Sequence, residues 1–243
     1  MNIKKLFSLQ ALCLCIGIIS LQGQGFDELG TWNILNGRYI LNENWTISGE
    51  AQLRSLGFYG RFHYYEVKGG FIYRVSPQLT LAAFGGTYQT YADRGGNFDT
   101  PKVNDEERLW FQATLHNNWK RLQIEHRYRW ENRWTLRGFR LRYRYRLQLL
   151  LPINYAKLQP KTIYAVISDE LFLTNRATYF ERNRFFVGAG YQWSENITTQ
   201  VGWLNQFDYF VNDEIGKNFF QVSLNFTWRR KAKSENPPSH FSD

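Results

Sequence analysis

Runs of strictly alternating apolar and polar residues recur along nearly the whole chain, behind an export-type leader. In the last run Val222, Leu224, Phe226 and Trp228 share one face, while Gln221, Ser223, Asn225 and Thr227 share the other. Successive side chains of a strand point to opposite faces, so such a run needs a greasy medium on one side and polar groups on the other. Repeated along an exported chain, the pattern predicts an all-β fold: a transmembrane, antiparallel, up-and-down β-barrel with lipid outside and a polar lumen inside.

The leader is recognisable. Lys4 and Lys5 precede an apolar stretch from Leu6 to Ile19 that is too short to cross a bilayer as a helix, and small residues follow at Gly23 and Gly25. Residues 1–25 are therefore expected to be a signal peptide cleaved near 23–25. An uncleaved anchor is the competing reading, against which the short apolar stretch argues. Cys13 and Cys15 each follow a leucine rather than a small residue, which argues against lipidation. They leave with the leader, so the mature chain has no thiol for a disulfide or a metal.

Residues 26–228 suit one barrel, and no other stretch holds eighteen consecutive apolar residues. The low mean hydropathy of −0.49 does not oppose a membrane barrel, because only alternate strand residues face lipid. Nine Trp and fifteen Tyr are enough to furnish aromatic girdles at both interfaces. The formal charge of +9 suits a positive lumen or anionic lipid head groups; an exported chain without a nucleic-acid fingerprint points to no nucleic-acid partner. Residues 229–243, with Arg229-Arg230-Lys231-Ala232-Lys233 and two prolines, read as a basic disordered periplasmic tail.

Eleven strands can be drawn: Thr31–Leu41, Asn44–Leu56, Arg61–Val75, Gln78–Tyr91, Glu107–Trp119 and Arg121–Trp134, then Gly138–Leu151, Lys161–Thr174, Glu181–Trp193, Ile197–Val211 and Asn218–Trp228. Most exceed the five or so residues of a soluble strand and fit tilted membrane strands. Tight turns at Asn42-Glu43-Asn44, Ser76-Pro77-Gln78, Asn118-Trp119-Lys120 and Ser194-Glu195-Asn196 alternate with generally longer links, such as Ala92 to Glu106 and Asn212 to Lys217. The tight turns are expected on the periplasmic side. Single-chain bacterial barrels have even strand numbers, so about twelve strands are expected, with one more near the N-terminus; ten is the alternative.

The middle of the chain carries the strongest local signal. Glu125, Arg127, Arg129, Glu131 and Arg133 alternate on one strand, and Arg140, Arg142, Arg144 and Arg146 on the next. A charge facing lipid near mid-membrane costs about 2–4 kcal/mol, so these side chains are assigned to the lumen. Arg127, Arg129, Arg142, Arg144 and Arg146 form a candidate anion-binding ladder. Glu50, Glu66, Glu125, Glu131, Glu170, Arg182 and Arg184 are candidates for lumen ion pairs, with Arg54, Lys68 and Asp208 in the same phase. Two readings stay open. Paired charges close the barrel and make it structural or adhesive. Unpaired arginines make a narrow, porin-like pore or a binding site for small anionic solutes. Because unpaired excess charge is costly unless water or anions reach it, this is the expected reading and the closed barrel is the alternative.

Catalysis finds little support. No Gly-x-Ser-x-Gly elbow, His-Glu-x-x-His pair or Walker loop occurs, so neither hydrolase nor acyltransferase activity is expected; a lipid-modifying barrel enzyme is the alternative from that class. His126 falls on the apolar face, and His116 has no nucleophile on its own strand. Asp169 and Glu170 point to opposite faces unless a bulge intervenes. No metal-ligand spacing is present, and no cofactor is expected.

Several short motifs carry a resemblance. They are Glu125-His126-Arg127-Tyr128-Arg129 with Asn132-Arg133, Asp169-Glu170-Leu171-Phe172-Leu173, Asn183-Arg184 with Gly188 and Tyr191, and Gly202 with Gln206. From about Trp32 to Trp228 the chain resembles the Gram-negative outer-membrane family filed as domain of unknown function 2490. The resemblance implies an outer-membrane β-barrel, with outer-membrane lipid around it and the barrel-assembly machinery as its partner during insertion. It supplies no activity or ligand. The basic extension past Trp228 departs from a barrel that ends on its aromatic residue.

Overall fold

The computed structural model describes residues 24–25, 28–92, 97–176, 178–210 and 213–230; residues 1–23 of the leader and the tail beyond Arg230 lie outside the described residues. The leader's last two expected residues, Gln24 and Gly25, are strand. Twelve strands form one sheet: β1 (Gln24–Gly25), β2 (Gly30–Ile40), β3 (Trp45–Gly57), β4 (Gly60–Arg74), β5 (Leu79–Tyr91) and β6 (Lys102–Trp119), followed by β7 (Leu122–Thr135), β8 (Gly138–Pro152), β9 (Ile163–Thr174), β10 (Phe180–Gln192), β11 (Ile197–Phe210) and β12 (Asp213–Arg229). Consecutive strands from β2 to β12 pair antiparallel, and β12 closes on β2 in parallel, from Phe219 opposite Gly30 to Arg229 opposite Ile40. β1 lies on that same edge of β12, with Gln24 opposite Ile215. The wall therefore has eleven positions around its circumference. The twelfth strand does lie near the N-terminus, but it prolongs the line of β2 instead of adding a position. The stagger accumulated round the ladders corresponds to a strand tilt of about 44° and a backbone radius of about 11 Å.

With eleven long strands, the chain enters at one mouth, where β2 begins, and leaves at the other, where β12 ends. The predicted contrast between short and long connections is weaker than expected. Residues 58–59 and 136–137 are two-residue turns at the N-terminal mouth, and each mouth has one ten-residue connection, 92–101 and 153–162. Two segments expected as links are strand instead. β6 starts at Lys102 rather than Glu107, and β12 at Asp213 rather than Asn218, because their hairpins continue pairing past the apolar belt.

The outer wall follows the alternation. Leu35, Ile47, Val67, Phe71, Leu81, Phe111, Val187 and Val201 are exposed along it. Tyr39, Trp45, Tyr73, Trp119, Trp193 and Trp228 ring the C-terminal mouth; Phe58, Tyr59, Trp134, Phe139 and Tyr179 ring the other. From Trp45 to Phe58 along β3 the rings stand about 30 Å apart, given about 3.3 Å per residue and the tilt. Inside, two sectors differ. Trp32, Tyr164, Val166, Phe186, Leu204 and Phe219 form an apolar cluster against β9 to β12 and β2, whereas β3, β4 and β6 to β8 turn many charged side chains inward around a second cluster of Tyr64, Phe84, Tyr88 and Trp110.

Inward glycines make room for that filling. Gly188 and Gly202 are register partners, and a Cβ on either would lie 2.3 or 2.4 Å from a carbonyl oxygen of the facing strand and against the Phe186 ring. Outward glycines differ: a Cβ on Gly69 would meet nothing closer than 3.6 Å. Gly188→Ala is expected to destabilise the barrel by about 1–3 kcal/mol through overpacking, while Gly69→Ala leaves stability unchanged. The temperature at which the compact gel band converts to the unfolded one measures both, and equal shifts for the two variants would contradict this packing account.

Candidate functional site: the charged lumen

Alternation places Arg127, Arg129 and Arg133 of β7 opposite Arg146, Arg144 and Arg140 of β8, cation against cation across the ladder. Like charges directly opposite repel, so the arrangement needs acids from elsewhere. They arrive from β9 and β10 and from within β7. Arg127 lies 2.5 Å from Glu170, and Arg144 bridges Glu131 at 2.6 Å and Glu170 at 2.8 Å. Arg129 lies 3.4 Å from Glu131 and donates two further bonds to Gln112. Arg142 reaches Glu131 at 3.6 Å and bonds Glu181, and Arg146 lies 2.5 Å from Glu125. Each of the five ladder arginines thus has a carboxylate within 4 Å.

The acids are shared. Glu131, fully buried, meets Arg129, Arg142 and Arg144; Glu106 meets Arg108 and Arg133; Glu181 meets Arg133 and Arg142. A continuous chain of contacts runs from Arg127 through Glu170, Arg144, Glu131, Arg142, Glu181 and Arg133 to Glu106 and Arg108. On the facing wall Glu66 meets Arg54 at 3.1 Å and Lys68 at 2.5 Å, and accepts from the Tyr64 hydroxyl; Glu50 also meets Lys68 at 2.5 Å. Arg182 pairs with Asp208. Arg184 is the exception among the candidate ion-pair residues: it donates to Gln206 at 2.9 Å and has no carboxylate within 4 Å among the described residues.

Aromatic faces carry the guanidinium groups. Phe172, almost wholly buried, has Arg142, Arg144, Arg182 and Arg184 at 5.6, 4.4, 5.7 and 4.7 Å from its ring centre. Arg54 stacks over Trp32 at 3.3 Å, and Arg108 over Tyr88 at 3.6 Å. Such contacts favour a desolvated cation by about 0.5–2 kcal/mol each.

Two of these groups were hidden from the alternation rule. Glu181 follows a register shift between Phe180 and Arg182, a bulge that sends it into the lumen beside its neighbour. Glu106 lay in a stretch read as loop, and the extension of β6 puts it inside. No bulge joins Asp169 to Glu170: Asp169 faces outward and accepts from Asn183 at 2.9 Å. His126 also faces outward, 2.9 Å from the Tyr145 hydroxyl.

His116 does reach the lumen, with its Nε2 3.5 Å from Thr80 Oγ1 on the neighbouring strand and its Nδ1 3.8 Å from Glu125. The order hydroxyl, imidazole, carboxylate is that of a hydrolytic triad. The hydroxyl belongs to a threonine, the contacts are loose, and Glu125 is engaged more closely by Arg146. Among the described residues no group of His, Cys, Asp and Glu side chains is placed to hold a metal ion.

Two cavities of about 160 Å³ each lie in the lumen on either side of the layer formed by Arg144, Arg184, Gln52 and Lys68, which line both. The one toward the N-terminal mouth is lined by eight cationic side chains and three carboxylates. The other, toward the C-terminal mouth, has six and two.

The chain belongs to the family described as protein of unknown function (DUF2490), whose model matches residues 29–216 and so takes in the ladder and all the lumen carboxylates named above. No curated protein and no solved structure matches the chain.

Because Glu131 neutralises three arginines with no exposure of its own, Glu131→Gln is expected to cost about 3 kcal/mol or more, the scale for leaving buried charges unpaired. Glu125, 24% exposed and paired with one arginine and loosely with His116, should cost less, about 1 kcal/mol, as Glu125→Gln. Urea unfolding in lipid vesicles compares them. A Glu131 variant as stable as the Glu125 variant would show that water, not the carboxylate, satisfies those arginines.

Proposed function

We propose that this member of the family is an integral outer-membrane β-barrel whose lumen is closed by ion-paired side chains. On this reading it is neither an open pore nor a lipid-modifying enzyme. The observation that carries the reading is the layer of Arg144, Arg184, Gln52 and Lys68 that lines both cavities, with Arg144 held by the shared carboxylates Glu131 and Glu170. An ion moving from mouth to mouth has to break those contacts. The membrane setting is supported by the apolar outer wall between two aromatic rings and by the export-type leader in the sequence. The C-terminal mouth, from which the basic tail continues, is assigned to the periplasm. Against catalysis stands the threonine beside His116, a weak nucleophile whose histidine is held only loosely.

The protein is expected to fractionate with the outer membrane, resist carbonate extraction and migrate faster unheated than boiled. Folded wild-type protein should leave planar bilayers silent across a wide voltage range. Arg144→Ala with Arg184→Ala, which removes both guanidinium groups of the dividing layer, should give conducting steps. Steady steps from the wild type would refute a closed lumen, and release by carbonate would refute the membrane placement. Turnover of labelled outer-membrane lipids that is lost in His116→Ala would refute the exclusion of catalysis.

A further inference from the structure

The paired ladder does not use up the positive charge of the lumen. In the cavity toward the N-terminal mouth, Glu66, Glu106 and Glu181 each already bridge two cations. Arg182 takes Asp208 from outside the lining. Arg184 makes no salt bridge among the described residues and donates to Gln206, with Glu170 the carboxylate within its electrostatic reach. The Nε of Arg54 is buried without an acceptor, as are those of Arg127 and Arg146 in the other cavity. Arg182, Arg54 and Arg144 act on Arg184 against the single carboxylate Glu170, and Arg182 and Arg108 act on Arg54 against Glu66. These side chains come from β3, β6, β8 and β10, so they approach one space from several sides of the wall rather than lying along one face. A desolvated cation without counter-charge is costly, and repulsion among several raises that cost.

We propose that this cavity is a binding site for a small, multiply charged oxyanion of the phosphate class, held by Arg54, Arg108, Arg142, Arg182 and Arg184. Guanidinium forks match oxyanion geometry and take several oxygens at once, which a halide does not offer. The space, about 160 Å³, exceeds the roughly 10–15 Å³ that one water requires by enough to seat a tetrahedral oxyanion with its waters. Phe172 and Trp32 hold Arg184 from below and leave its terminal nitrogens to the ligand. The ligand is a free solute: the cavity lies inside the wall, and a head group tethered to acyl chains in the bilayer does not reach it. The inference rests on the closed lumen only in that the anion enters and leaves by one mouth.

The test is calorimetric titration of inorganic phosphate into the folded mature protein, in a maltoside detergent and a chloride buffer otherwise free of phosphate. Saturable binding with one site is expected, weakening as chloride rises. Arg184→Gln and Arg54→Gln should each raise Kd by about tenfold or more, the scale of a lost charge-assisted hydrogen bond. Arg184→Gln orphans no carboxylate, so its barrel should fold, which unheated gel migration checks. Arg146→Gln, in the other cavity, should leave Kd unchanged, and added phosphatidylglycerol should not displace the ligand. The proposal is overturned by folded wild type that shows no saturable binding, by unchanged affinity in the Arg184 and Arg54 variants, by an equal loss in the Arg146 variant, or by displacement with phosphatidylglycerol. Absent binding with silent bilayers would end this proposal and leave the closed lumen standing; conducting bilayers with Arg184-dependent binding would do the reverse.

Discussion

A guanidinium carried inside a wall about 11 Å in radius loses much of its water, so every inward arginine of this chain needs an acceptor within reach. Long side chains from opposite walls meet near the axis, and the acids that neutralise them are fewer than the arginines. Sharing spreads the acids over more arginines without removing the shortfall. Glu131, Glu170, Glu106 and Glu181 each bridge cations from different strands, so the ion pairs also tie β6, β7, β8, β9 and β10 together through the lumen. The surplus of cations around both cavities follows from that sharing.

The closing seam poses a separate problem. An odd number of long strands makes β2 and β12 run the same way, and a parallel ladder is slightly weaker per residue than an antiparallel one. Here the seam is backed from inside. Trp32 of β2 and Phe219 of β12 meet edge to face at 5.5 Å, within the apolar cluster that also holds Tyr164, Phe186 and Leu204. Arg54 then covers Trp32 from the charged side. Trp32 thus belongs to both interior sectors, and the seam is where they join.

Much of this architecture was legible in the sequence because strand alternation is a local property. The inward direction of Arg127, Arg129, Arg142, Arg144 and Arg146, and of Glu50, Glu66, Glu125, Glu131 and Glu170, needs only the period of two. What failed to show was whatever depends on register. Glu181 changes face at a bulge that no composition marks, and Glu106 enters the lumen only because β6 pairs with β5 and β7 beyond the apolar belt. The even-number rule led to the N-terminus, where β1 indeed lies, yet parallel closure is a relation between the first and last long strands that no local pattern encodes. Partner choice was hidden for the same reason. That Arg184 faces Gln206 while Arg182 faces Asp208 follows from the register of β10 against β11.

Closing a barrel of this width does not require charge. The sector facing β9 to β12 is filled by Tyr164, Val166, Phe186, Leu204 and Phe219, with no ion pair among them. Apolar residues of similar volume commonly replace buried ion pairs without loss of stability, so stability alone gives weak reason for the charged sector. Nor does even neutralisation describe it, since the surplus of cations over carboxylates collects around a cavity and over the Phe172 face. A structural plug would spread its charges so that each found a partner. Arg184, held by an amide and two aromatic rings in a crowd of other cations, is stabilised in position, while in charge Glu170 is outnumbered by Arg182, Arg54 and Arg144. The physical requirement left unmet by the chain itself is a counter-ion, and the empty volume beside Arg184 is where one fits.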